Sequence, residues 1–145
     1  MPASTQTSPT PPLVGQTGPE MARKKRTVVY IEDEPAVQRL VQFWLEDAGM
    51  RVLLAGDGLE GLELVRSERP DLIVTDALMP VMTGDELVEV LMGDEELRTI
   101  PIIMATAAAS PFRVRRMLEL GCRAVVRKPI EEADFLAAVE EALAG

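Results

Sequence analysis

Histidine is absent from this chain, and Cys122 is its only cysteine. Without histidine there is no Ser-His-Asp or Cys-His nucleophile system, and no zinc site of the usual Cys/His kind. A single thiol excludes an internal disulfide framework and a multi-cysteine metal centre. No apolar run approaches the ~20 residues that a membrane-spanning helix needs. The N-terminal stretch also lacks the apolar h-region of a secretory signal. Both absences point to a cytoplasmic protein with no membrane partner. Any chemistry must rest on carboxylates, hydroxyls, one thiol, lysine and arginine.

What is present suits one folded domain. The chain has 145 residues, 47% of them apolar, enough for a packed core. Its net charge of −9 is unevenly spread. Residues 1–26 carry Arg23, Lys24, Lys25 and Arg26 against Glu20, a net +3, so the remaining 119 residues carry −12. A body that acidic repels a polyanion, which argues against a nucleic-acid partner. Five of the 11 prolines lie in residues 1–20, where Leu13 and Val14 are the only sizeable hydrophobes besides Met1. Such a stretch buries too little apolar surface to offset its ordering entropy. Residues 1–26 therefore read as a disordered Pro/Thr-rich tail with a basic lead-in, and residues 27–145 as the folded domain.

From Thr27 a rhythm sets in. Short apolar runs at 28–31, 52–54, 72–74, 101–105 and 124–126 predict strands. Between and after them, helical spacing predicts helices over 35–48, 59–69, 85–92, 111–121 and 131–143. In the first helix the spacing places Val37, Leu40, Val41, Trp44 and Ala48 on one face. Ser110-Pro111 is an N-cap followed by proline at the first helical position. Strands that are apolar on both faces and alternate with helices imply a parallel, doubly wound α/β sheet.

In such sheets ligands bind at the carboxyl ends of the strands. The first strand ends in Glu32-Asp33-Glu34, the third in Thr75-Asp76, the fourth in Thr106 and the fifth in Arg127-Lys128-Pro129. If the first and third strands are neighbours, Glu32, Asp33 and Asp76 converge. Crowded carboxylates repel one another, and a hard divalent cation relieves them; Mg²⁺ fits. Lys128 is the only lysine among the 11 basic residues of the folded domain. A compact point charge on a flexible stem suits a lone phosphate oxygen better than the planar guanidinium fork does. The plainer reading, an acidic cluster with a surface lysine, does not explain why Thr106 and Lys128 occupy matching strand ends.

Together these residues resemble the receiver domain of two-component response regulators, in its stand-alone form, over about residues 27–145. The resemblance rests on Val-Val-Tyr-Ile-Glu-Asp-Glu-Pro (28–35), Asp-Leu-Ile-Val-Thr-Asp-Ala-Leu-Met-Pro-Val-Met-Thr-Gly (71–84), Pro-Ile-Ile-Met-Ala-Thr-Ala (101–107) and Val-Val-Arg-Lys-Pro (125–129). It implies a flavodoxin-like fold, a five-stranded parallel sheet in order 2-1-3-4-5 flanked by five helices. By the same resemblance Asp76 is the phosphoacceptor. Glu32 and Asp33 form the acidic metal pair, and Asp76 and the backbone carbonyl of Leu78 complete the Mg²⁺ ligands. Thr106 is the switch hydroxyl, Lys128 pairs with the phosphoryl group, and the Lys128–Pro129 bond is cis. The chain would be an acceptor that assists its own phosphorylation and dephosphorylation, and not an enzyme with a separate substrate.

A chain without histidine cannot be its own phosphohistidine donor, so the implied source is a partner histidine kinase or histidine phosphotransfer protein. The implied output is a downstream protein, or a second copy of the chain, met through a basic Arg113–Arg127 face. Residues 111–130 hold Arg113, Arg115, Arg116, Arg123, Arg127 and Lys128 against Glu119 alone. The chain also departs from the family pattern. Val125 stands where an aromatic is frequent, which removes an aromatic-rotamer switch, and the acidic pair is Glu-Asp where Asp-Asp is common. Leu78 and Ala108, two residues after Asp76 and Thr106, cannot orient a water, which implies slow loss of the phosphoryl group. The chain ends two residues after Leu143, so no output domain is expected after it.

Gly56-Asp-Gly58-Leu-Glu-Gly61 matches the G-x-G-x-x-G dinucleotide fingerprint. A complete strand–helix unit precedes it, however, and that reading leaves Glu32, Asp33, Thr106 and Lys128 unused. Glycine for a strand-to-helix turn is the simpler account. A phosphatase working through an aspartyl-phosphate would want a second aspartate at position 78, where leucine stands. A receiver-like interaction module that is never phosphorylated would be expected to have lost the acid, the hydroxyl or the lysine, and all are present.

Overall fold

Strand and helix alternate from Thr27 to Ala144 in the computed structural model, which describes residues 25–145. The predicted disordered tail, with Arg23 and Lys24 of its basic lead-in, lies outside the described residues. The order is β1 (Thr27–Ile31), α1 (Pro35–Asp47), β2 (Arg51–Ala55), α2 (Gly58–Glu68), β3 (Leu72–Asp76), α3 (Gly84–Met92), β4 (Ile102–Thr106), α4 (Pro111–Leu120), β5 (Ala124–Arg127) and α5 (Glu132–Ala144). All neighbouring strands run parallel, in the sheet order β2-β1-β3-β4-β5. This is the doubly wound, flavodoxin-like α/β fold.

The reasons are local first. Pro35 starts α1 at a position where its missing N–H costs nothing. Asp57 caps α2 by accepting the Glu60 amide, Thr83 and Glu86 form a reciprocal capping box on α3, and Ser110 accepts the Arg113 amide at the head of α4. The central strands β3 and β4 are buried along their whole length. Two apolar layers result. Val29, Ile31, Leu62, Leu87 and Met117 belong to the layer under α2, α3 and α4. Tyr30, Val41, Leu45, Val74 and Phe135 belong to the layer under α1 and α5. Each fully buried large apolar side chain contributes roughly 1.5–3 kcal/mol.

The structure differs from the sequence reading in two ways. In α1 the buried residues are Val41 and Leu45, while Leu40 is 49% exposed and Ala48 faces solvent. The helix is rotated so that Trp44 covers the edge of the layer, its ring centroid 6.4 Å from that of Phe135. Second, β3, β4 and β5 run one or two residues past their apolar runs. The ladder pairs Asp76 with Ala105 and Thr106 with Arg127. Backbone pairing does not depend on side-chain polarity, so the polar residues at the strand ends sit on the rigid sheet itself.

The glycine-rich stretch is structural. A side chain at Gly58 would meet the carbonyl of Met82 at 2.7 Å, and one at Gly61 would overlap Ile31. Two amides of the turn are engaged by the chain's own acids: Glu60 Oε1 accepts from the Gly56 N–H at 2.7 Å, and Asp57 Oδ1 from the Glu60 N–H at 2.8 Å.

Cys122 lies between α4 and β5, 6% exposed. Burial, with the charge of Asp85 second, pushes its thiol up to about 12. At pH 8 roughly one molecule in 10⁴ then carries the thiolate. The folded protein should resist labelling by a disulfide reagent at pH 8, and urea should restore ordinary reactivity. The unfolded thiol ionises near 9.0 while the folded one keeps its proton to about 12. The group's contribution is therefore complete below pH 9 and is lost as pH rises through that window, at no more than about 1.4 kcal/mol per pH unit. Urea midpoints at pH 8 and 10 test this: Cys122→Ala should lose less stability over the interval than the native chain.

Candidate functional site

Three strand ends meet at one edge of the sheet. β1 lies between β2 and β3, so Glu32 and Asp33, which follow β1, sit beside Asp76 at the end of β3. One carboxylate oxygen from each of Glu32, Asp33 and Asp76 lies within 4.8 Å of the others. Glu32 is 1% and Asp76 7% exposed, and Asp33 faces solvent. Lys128 enters from the end of β5. Its Nζ donates to Glu32 Oε1 at 3.0 Å and to Asp76 Oδ2 at 3.1 Å. The three acids and one ammonium leave an excess of negative charge in a mostly buried pocket. That excess, with oxygen donors only, fits a hard divalent cation.

Burial alone would lower the Lys128 ammonium. The hydrogen bonds and charges of Glu32 and Asp76 outweigh it and hold the group above its ordinary value. Lysine at this place stays charged.

The remaining contacts fix the carboxylates. Glu32 Oε2 accepts the Glu34 amide at 3.2 Å, and Asp76 Oδ1 accepts the Leu78 amide at 3.4 Å. Gln38 donates to the backbone carbonyls of Glu32 and Ala55, at 2.9 and 3.3 Å, and pins the turn into α1. Sequence reasoning missed Tyr30. Its ring is fully buried, and its hydroxyl donates to Glu32 Oε1 at 3.3 Å. Burial first, and Glu32 second, push this phenol well above its ordinary range, so it remains a donor. The available signal was strand period: carried one residue past β1, it puts residues 30 and 32 on the same side.

Thr106 ends β4, one residue beyond the partner of Asp76. It is 3% exposed, and its Oγ1 accepts the Ala108 amide at 3.0 Å, which leaves the O–H to donate elsewhere. The Lys128 N–H donates to the Thr106 carbonyl at 3.0 Å, joining the two strand ends. The Lys128–Pro129 bond is cis. The side chain of Leu78 is 74% exposed and stands at the rim of the site. Val81, in the same loop, has φ 73°, and the Met82 N–H donates to the Pro80 carbonyl at 2.8 Å. That is a three-residue turn in its rarer positive-φ form, strained for a β-branched residue. Beneath Asp76, Gly84 opens α3: a side chain there would meet the Asp76 carbonyl at 2.6 Å and Met104 Sδ at 2.8 Å.

The basic face is divided. Arg113 makes a bidentate pair with Asp85, at 2.9 and 3.0 Å, and ties α4 to α3. Arg123 donates to the Ala142 carbonyl at 3.4 Å and Arg127 to the Ala109 carbonyl at 3.3 Å. Arg115 and Arg116 point to solvent with no ion pair among the described residues.

Residues 28–140 match the family model of the response regulator receiver domain. The chain is 35% identical over 118 residues to the polar-differentiation response regulator DivK of Brucella anthropi, covering 81% of this chain and 96% of that protein. It is 39% identical over 120 residues to hybrid signal transduction histidine kinase D of Dictyostelium discoideum, covering 83% of this chain but only 8% of that much longer protein. Among solved structures, the receiver domain of a sensor histidine kinase from Pseudomonas aeruginosa PAO1, with a magnesium ion coordinated in its active-site cleft, superposes with a TM-score of 0.77 at 25% identity. That match covers 84% of this chain and all of the other. The chain belongs to the response regulator receiver domain family. Receiver domains are signalling modules of two-component systems. No helix among the described residues is long and apolar enough to cross a membrane.

Proposed function

We propose that the chain is a phosphoacceptor switch of a cytoplasmic two-component pathway. In this reading Asp76 is phosphorylated by a histidine kinase or histidine phosphotransfer protein. The observation that carries it is the bridge from Lys128 to both Glu32 and Asp76 within one acidic cluster. One oxygen of Asp76 attacks the phosphorus of the donor, the P–O or P–N bond of the donor breaks, and the leaving group departs with the electron pair. Lys128 follows the charge that develops on the transferred oxygens, and the chain otherwise positions and stabilises. Glu32, Asp33, Asp76 and the Leu78 carbonyl would hold Mg²⁺. When bound, that ion supplies positive charge to the transferring oxygens. The test is labelling by acetyl phosphate: it should require Mg²⁺, vanish in EDTA and vanish in Asp76→Asn.

Phosphorylation offers the Thr106 O–H a new acceptor. The segment that follows, Ala107 to Ser110, is then drawn with it, because the Ala108 amide is bonded to Thr106 Oγ1. Val125 has no ring to rotate, and the loop itself carries the change. Arg127 holds the Ala109 carbonyl of that loop, and Arg113, in the first turn of α4 just beyond it, is tied to Asp85.

The output face is the α4–β5 side, and Arg115 and Arg116 are its free charges. An acidic partner is steered to this patch and repelled by the rest of a body of net −12. Charge reversal, Arg115→Glu with Arg116→Glu, should weaken phosphorylation-dependent association several-fold and reduce its dependence on salt. Sedimentation with and without acetyl phosphate reads both. Association unaffected by the reversal would reduce the patch to a solvated helix face.

A further inference from the structure

Tyr30 is the only tyrosine of the chain, and its hydroxyl is not needed by the layer that buries it. The ring shares that layer with Val41, Leu45, Val74 and Phe135, where phenylalanine would pack as well. A buried hydroxyl requires a partner, and here the partner is Glu32 Oε1, at 3.3 Å.

Glu32 in turn needs restraint. It carries one more rotatable bond than aspartate, and it is 1% exposed. Oε1 receives two donors, the Tyr30 hydroxyl and the Lys128 ammonium, and Oε2 receives the Glu34 amide. An ionised carboxylate has about four lone-pair sites, so the three donors leave one, on Oε2. Lys128 is a shared restraint, because it also bonds Asp76. A lysine that turns toward a transferred phosphoryl oxygen releases Oε1. Tyr30 bonds Glu32 alone, and it is the donor that stays.

We propose that Tyr30 is a positioning residue of the metal centre: its O–H holds Glu32 by Oε1 and so presents Oε2 to Mg²⁺. The proposal rests on the reading of Glu32, Asp33 and Asp76 as cation ligands. It assigns the hydroxyl a role that core packing does not.

The test is a Mg²⁺ titration by calorimetry of four proteins: the native chain, Tyr30→Phe, Glu32→Asp and the double variant. Tyr30→Phe keeps the ring and loses the hydroxyl, and it should bind Mg²⁺ about tenfold more weakly, the usual size for loss of a group that orients a metal ligand. The shorter carboxylate of Glu32→Asp withdraws from the phenol. In that background Tyr30→Phe should change the constant less than about twofold, because the two residues act as one unit. A loss of equal size in both backgrounds would mean a general packing effect and would overturn the proposal. So would Tyr30→Phe binding Mg²⁺ as tightly as the native chain, in which case the metal reading itself survives. A native chain that binds no Mg²⁺ would overturn the metal reading and this proposal together.

Discussion

Asp76→Asn should take up no phosphoryl group from acetyl phosphate at saturating Mg²⁺, under conditions expected to label the native chain. Asparagine keeps the shape of the side chain, but its amide offers no ionised oxygen to attack phosphorus. The expected fall is on the order of 10³-fold or more, limited by background. Unfolding does not explain the loss. With residue 76 neutral, Lys128 keeps Glu32 at 3.0 Å, and the number of crowded carboxylates falls. The unfolding midpoint in metal-free buffer should therefore equal or exceed that of the native chain. Native-level labelling of the variant would remove Asp76 from its proposed role.

Lys128→Met should act on stability as well as on the proposed chemistry. Methionine preserves an apolar stem and deletes the ammonium. Glu32 and Asp76, with side chains 1% and 9% exposed, are then left facing each other without a cation. Removing one partner of a buried ion pair costs about 3–5 kcal/mol. Domains of this size are stable by about 5–15 kcal/mol in all, so the variant should be marginal in EDTA. Mg²⁺ binds the folded form and offers those acids a replacement charge. It should raise the melting temperature of Lys128→Met by more than it raises that of the native chain. Thermal unfolding with EDTA and with Mg²⁺ decides it. A variant as stable as the native chain in EDTA would show that Lys128 is a bystander to the two acids.

Much of this architecture was legible because the strands are short apolar runs separated by clear stop signals. Pro35, Gly49, Pro70, Ser110-Pro111 and Gly121 punctuate the chain, and the elements start or stop within a few residues of them. Composition failed where pairing outruns it. Asp76, Thr106 and Arg127 are polar, and apolar content ended their strands too early, although the ladder continues through them. In α1 the single-face reading included Leu40 because spacing of three and four residues does not fix which neighbouring stripe is buried. The packing of Trp44 against Phe135, a residue 91 positions away, decides that rotation. The convergence of Glu32, Asp33 and Asp76 followed from strand adjacency, a topological rule. Tyr30 escaped for a different reason: as one hydrophobe in a hydrophobic strand, it carries no mark in the sequence of what its hydroxyl touches.

The close fit of Gly84 beneath Asp76 gives the site a direction of yield. The head of α3 is pressed against the Asp76 carbonyl, the Gly84 amide is bonded to the Ala77 carbonyl at 2.9 Å, and Met104 closes the remaining space. The strand end thus rests on a closely packed floor, with little room to recoil if a phosphoryl group is added above it. Ala107 and Ala108, in the loop after β4, are exposed and offer only methyl groups, while Ala109 beyond them is buried and its carbonyl accepts from Arg127. In the proposed switch, force generated at a phosphorylated Asp76 would be directed sideways, along the loop toward α4, and the surface that changes would be set by where the scaffold yields.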